Sequence, residues 1–191
     1  MKMKFSLEHI IKCQEKLKNF RFGSDYPLLA FLDYWIPIVQ FIPSEDLEWS
    51  MDQDLKLLYN PQMVIYGNKD KLAFCLAHEL LHLIFLHVFI KEARYSEILE
   101  TCADVLINTF IKNTSNLQIF SSLVAKDNKF NLCGQTIDVK EKSLYSLYHE
   151  VVTAYKKSKD NEIKIDMKSL ENYLKILLSY PDVKEKTQTI G

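Results

Sequence analysis

Apolar side chains recur at helical intervals through most of this chain, and the interval breaks only where short β-branched or turn-prone stretches intervene. Phe5, Leu7, Ile10, Ile11, Leu17 and Phe20 mark an amphipathic first helix over residues 5–20. Gly23 and Pro27 punctuate it, and "PLLAFLDYW" opens a second helical segment that Pro37 closes. "IPIVQFI" and "LKLLYN" read as strands of a small sheet of two or three strands, with the acidic, turn-prone "PSEDLEWSMDQD" between them. The most apolar run follows, from Leu72 to Ile90, and reads as one long helix with Asn68 as its N-cap and Asp70 in its first turn. A further helix is expected from about Ser96, starting on a serine cap, to Ile111. Residues 117–140 lack a clear period and are expected to be irregular, with a turn at "KFNLCGQ". "KEKSLYSLYHEVVTAYKK" and "MKSLENYLKILLSY" each return to helical spacing. The pattern as a whole predicts a mainly helical α+β fold.

Length and composition narrow this picture. At 191 residues the chain suits a single domain over 1–191, with its core at about 20–155 and a C-terminal helix and tail over 160–191. Four glycines and five prolines are few, which again favours helix over turn-rich architecture. A formal charge of −1 leaves no basic excess to neutralise phosphates, so a nucleic-acid partner is not expected. Cys13, Cys75, Cys102 and Cys133 form no CxxC and no regular spacing, which argues against a four-thiolate zinc site. Glu8 and His9 stand where a secretory signal would need its apolar stretch, so a cytoplasmic, reduced protein is expected.

The run from Leu72 to Ile90 is long enough to span a bilayer, yet His78, Glu79 and His82 sit at its middle. Polar groups are costly there in lipid, so a buried helix of a soluble protein fits better and no membrane partner is expected. Residues four apart on a helix are offset by roughly 40°, so His78 and His82 stack on one face, one turn apart. Their imidazoles can share one zinc ion. Glu79 projects beside them, close enough to take a proton from a water at that ion without ligating it. A buried carboxylate with no such partner would be costly. A catalytic zinc site normally has three protein ligands, and three candidates exist for the third. His87 is five residues after His82 and on a continuous helix points roughly 140° away, so it reads as a structural histidine or one that supports a ligand, rather than a ligand itself. Glu100 and Asp104, in "SEILETCADVLINTF", share a face opposite Leu99, Val105 and Leu106.

Spacing and context together resemble known metallopeptidases. Glu100 and Asp104 copy the Glu-x-x-x-Asp of gluzincins, where the glutamate binds zinc and the aspartate orients a histidine. In an aspzincin-like site the aspartate itself binds. The metzincin pattern would want glycine and histidine three and six residues after His82, where Phe85 and Val88 stand. More extensively, the chain resembles the metallopeptidase domain that often precedes a von Willebrand factor A-like domain in bacterial proteins. "AHELLHLIFLH" carries that family's His-Glu-x-x-His plus a histidine five later, and "ETCADVLIN" is similar to its "NIAADLAIN". "LKLLYNPQMV" is similar to its "L-x-YNP-x-FV", and "KSLYSLYHEVV" to its "SAEEIYELL" helix, so the likeness covers roughly residues 20–155.

The resemblance implies a zincin-like fold with a small sheet beside the motif helix, and zinc as cofactor. It implies His78 and His82 as ligands and Glu79 as catalytic base. Asp104 aligns with the family's acid and becomes the third ligand, while Glu100 falls where asparagine is common. A peptide or protein substrate follows, which "LKLLYN" could hold as an edge strand by main-chain pairing. Tyr145, Tyr148 and His149 are available to a transition state but read first as packing residues. Two departures stand out: "SMDQD" replaces a threonine-aspartate-glycine turn, and too few residues remain for a following von Willebrand-like domain. A separate von Willebrand-type or ATPase partner protein is therefore the expected associate. The competing expectation is a non-catalytic metal-binding adaptor module derived from such an enzyme, using the ion for stability alone.

Overall fold

A computed structural model of the chain describes residues 5–44, 49–90, 96–132 and 135–160. The expected last helix over 167–180 lies outside them, as does the turn at Cys133. The described residues are mainly helical, with two small sheets. They group into two compact units, one formed by the chain up to residue 92 with 107–124, the other by 93–106 with the chain from 125 onward.

In the first unit, helix α1 (Leu7–Lys18) starts on Ser6, whose side chain accepts the His9 N–H, and buries Cys13 and Leu17. Pro27–Tyr34 is helical as the spacing predicts, but wound as a 3-10 helix that buries Leu29 and Leu32. Strands β1 (Gln40–Pro43), β2 (Ser50–Met51) and β3 (Lys56–Tyr59) make a three-stranded sheet in the order β1-β3-β2. Strand β1 runs parallel to β3 and β2 antiparallel to it. This placement corrects one expectation: "LKLLYN" forms the centre of the sheet, with both sides of β3 taken, and cannot hold a peptide as an edge.

The path from β3 to the motif helix is short. Asn60 caps helix α2 (Pro61–Tyr66) through its side chain, and Pro61 takes the first turn, where a missing N–H costs nothing. Gly67 follows, and a Cβ there would collide with the Met63 carbonyl oxygen. Helix α3 (Lys69–Ile84) begins one residue beyond its predicted cap, Asn68, whose Oδ1 accepts the Lys71 N–H at 2.7 Å. Tyr26 donates its hydroxyl hydrogen to Asp70 in the first turn. Leu76, Ala77, Leu80 and Leu81 have no exposed surface and join the core with Leu29, Leu57, Ile107 and Ile111.

Helix α3 ends sooner than the apolar run. Phe85 closes it, Leu86 takes a left-handed conformation at φ 60°, and His87–Phe89 is a separate 3-10 turn. Neither glycine nor proline marks this stop. The exposed Phe85 side chain instead packs edge-on against Phe110, with centroids 5.7 Å apart. Among the described residues, no helix is long and apolar enough to cross a membrane.

Helix α4 runs without a break from Ser96 to Thr114 and contributes to both units. In the second unit, Lys129–Leu132 (β4) and Gln135–Asp138 (β5) pair as an antiparallel hairpin in the segment expected to be irregular. Their faces alternate: Phe130 and Ile137 are opposite each other and buried, while Lys129, Asn131, Thr136 and Asp138 are exposed. Helix α5 (Leu144–Asp160) buries Leu144, Leu147 and Val151 at helical spacing. Its first turn is held by Ser143, whose Oγ accepts the Ser146 N–H.

Candidate metal centre

The two motif histidines stand one turn apart on α3, as their spacing predicts. Their Nε2 atoms lie 3.0 Å from each other, and their rings meet edge-on with centroids 4.7 Å apart. Both side chains are half-buried. Two imidazole nitrogens so close, each able to offer a lone pair, converge on a single point that a cation can occupy.

Helix α4 supplies an acid. A ligand atom from each of His78, His82 and Asp104 lies within 4.8 Å of the other two, which makes them the one such trio among the described residues. Glu100 stands a turn earlier on α4, is exposed, and is not in this group. Glu97, closer to the helix start, is exposed as well, and its backbone carbonyl accepts the Thr101 hydroxyl.

Glu79 is buried, at 8% exposure. On helical geometry its side chain leaves α3 about 60° round from His82 and about 100° from His78. The Cys75 thiol, one turn before it, is pushed up to about 12, chiefly by burial and then by the charge of Glu79. Glu79 is thus a buried carboxylate on the same helix as the two converging imidazoles.

His87 does not lie on a continuation of α3, as the angular expectation assumed. Because α3 stops at Ile84, the left-handed Leu86 swings the chain round, and the His87 ring packs edge-on against His82 with centroids 5.4 Å apart. It touches a ligand candidate without belonging to the trio. Tyr145 and His149 are exposed on α5 and Tyr148 is half-buried there.

Sequence reasoning overlooked Asn108. It is 1% exposed, its Oδ1 lies 2.9 Å from His78 Nδ1, and its Nδ2 donates to the Leu123 carbonyl at 2.9 Å. A lone amide inside "VLINTF" was the available signal, since a buried polar group in an apolar helix face must have a partner.

The donor set, two imidazoles and one carboxylate, suits zinc and similar divalent ions and equals the protein ligand count of catalytic zinc sites. Fold and cluster thus define a small α+β domain with a candidate metal centre on its His-Glu-x-x-His helix. The chain belongs to the family described as "Putative metallopeptidase domain", whose model matches residues 14–158. Neither a curated protein nor a solved structure matches it.

Proposed function

We propose that this domain is a zinc-dependent peptidase of zincin-like fold, with His78, His82 and Asp104 holding the metal and Glu79 as general base. The observation that carries the reading is the approach of ligand atoms of His78, His82 and Asp104 to within 4.8 Å of one another, with the buried Glu79 on the same helix as the two histidines. Bound there, zinc would polarise a peptide carbonyl and bring the acidity of a water molecule toward neutral pH. Glu79 accepts the proton that such a water gives up as it attacks, and returns it to the amine that departs. A peptide or protein is the substrate under this reading, and a separate von Willebrand-type or ATPase protein is the proposed associate.

Metal content of the purified chain, measured by mass spectrometry beside Asp104→Ala and Glu100→Ala, tests the centre. About one zinc per chain, lost in Asp104→Ala and kept in Glu100→Ala, is expected. Glu79→Gln should keep the metal and the fold while abolishing cleavage of an unfolded protein substrate. Full activity in that variant would remove Glu79 from the mechanism. Absence of zinc uptake by the wild type would overturn the peptidase reading, leaving a partner-binding module in its place.

A further inference from the structure

We infer that Asn108 is a positioning residue that holds His78 in the tautomer protonated on Nδ1, so that its bare Nε2 faces His82. The two ends of the Asn108 amide are chemically opposite, and each has a partner that accepts only one assignment. The Leu123 carbonyl is purely an acceptor, so the amide must present Nδ2 to it, at 2.9 Å. That leaves Oδ1 against His78 Nδ1, also at 2.9 Å. Oδ1 has only lone pairs, so Nδ1 must carry the hydrogen. A neutral imidazole protonated on one nitrogen has its lone pair on the other. Reversing the amide would set N–H against carbonyl nowhere and oppose two oxygens at Leu123. With Asn108 only 1% exposed, water cannot make good that loss.

The anchor extends one link further. Leu123 is held in turn, because its N–H donates to Ser121 Oγ at 3.1 Å. A chain of directed bonds therefore runs from Ser121 through the Leu123 backbone and the Asn108 amide to the His78 ring. At the far side of that ring, the bare His78 Nε2 lies 3.0 Å from His82 Nε2. The hydrogen between them must then come from His82, so the two histidines are in opposite tautomers. The sign is the one a metal site needs: a ligating histidine whose other nitrogen donates to a fixed acceptor is oriented and more basic. This consequence for metal binding rests on the proposed function above, whereas the tautomer assignment does not.

The test is nitrogen NMR of histidine-labelled protein without added metal at pH 8, where unperturbed imidazoles are neutral. His78 is expected to show a protonated Nδ1 and a bare Nε2, and His82 a protonated Nε2. A His78 protonated on Nε2 in the wild type would overturn the proposal, and this arm needs no variant to fold. Asn108→Leu should release the ring into a tautomer mixture and weaken zinc binding by about 10- to 100-fold, read by competition with a chelator. Asn108→Asp keeps an oxygen against Nδ1 and should keep the Nδ1 proton, while its second oxygen meets the Leu123 carbonyl and lowers the melting temperature. Melting curves identify how much of each variant is folded. A merely structural Asn108 predicts lower melting temperatures with the His78 tautomer unchanged, which would also overturn the proposal. Should the tautomers be as stated while zinc fails to bind, the positioning stands and the metal reading falls.

Discussion

Leu80 separates the two faces of the motif helix, and Leu80→Ala measures what the rear face contributes. The side chain has no exposed surface and leaves α3 about 200° from both His78 and His82, directly away from the candidate centre. Truncation removes three buried carbons at about 0.8 kcal/mol each, roughly 2.4 kcal/mol of transfer free energy. A core shared with Leu29, Leu57 and Ile111 relaxes only partly into the space, and the cavity term brings the loss to about 3–4 kcal/mol. Urea unfolding in the presence of a chelator, followed by tryptophan fluorescence, reads this loss without any contribution from bound ion. Under the proposed function the folded fraction should retain the zinc affinity of the wild type within about threefold, since His78 and His82 lie on the other face. A loss below about 1 kcal/mol would mean that Leu80 is not part of a packed core. A tenfold loss of affinity in the folded variant would mean that the faces of α3 are not energetically separate.

Two further outcomes concern the Tyr59 hydroxyl and the half-buried Cys75 thiol. The Tyr59 hydroxyl is buried with no hydrogen-bond partner among the described residues, so Tyr59→Phe should leave unfolding free energy unchanged or raise it by up to about 1 kcal/mol. A drop of more than that in urea titrations would show that the hydroxyl has a partner. The Cys75 thiol titrates at about 12 in the folded chain and near its ordinary 8.5 when unfolded. A raised folded value gives stability that is complete below the unfolded pKa and lost as pH rises toward the folded one. Unfolding free energy should therefore fall from about pH 8.5 upward, less steeply in Cys75→Ala. Burial pushes the Cys13 thiol the same way, so some slope remains in that variant. An identical slope in the two proteins would contradict the assignment.

The legible parts of this molecule were those where local chemistry agrees with the fold. Asn68 announced the start of α3 because an asparagine ahead of an apolar run can satisfy a free N–H, and it does. The helix end was not legible. Apolarity continues through Phe85 and Leu86 with no breaker, and nothing in the residue type of Leu86 announces its left-handed conformation. That stop in turn changed the place of His87, since the angular argument assumed a continuous helix. The β4–β5 hairpin was missed although Lys129–Leu132 and Gln135–Asp138 alternate in the proper period, because four-residue strands give too few repeats to stand out. Asn108 went unnoticed for a different reason. The acids of α4 stand out by their charge and spacing, and Asp104 does join the two histidines, whereas an uncharged amide in an apolar helix carries no such mark. Asp104 and Asn108 repeat the same four-residue interval, and Asn108 is bonded to a motif histidine.

The corner at Gly67 bears on entropy. Between the end of β3 and the start of α3 the chain has almost no residue outside regular structure, and at residue 67 even a methyl group is refused by the Met63 carbonyl. The histidine-bearing helix is therefore set in direction by the sheet and the core, before any ion arrives. A finger-like domain spends much of its ion's binding free energy on ordering a disordered loop. In this chain the two imidazoles already face each other across one helical turn, so a cation bound there would have less ordering to bring about. Stripping the ion away should then leave a folded chain with a vacant chelate, ready to be refilled.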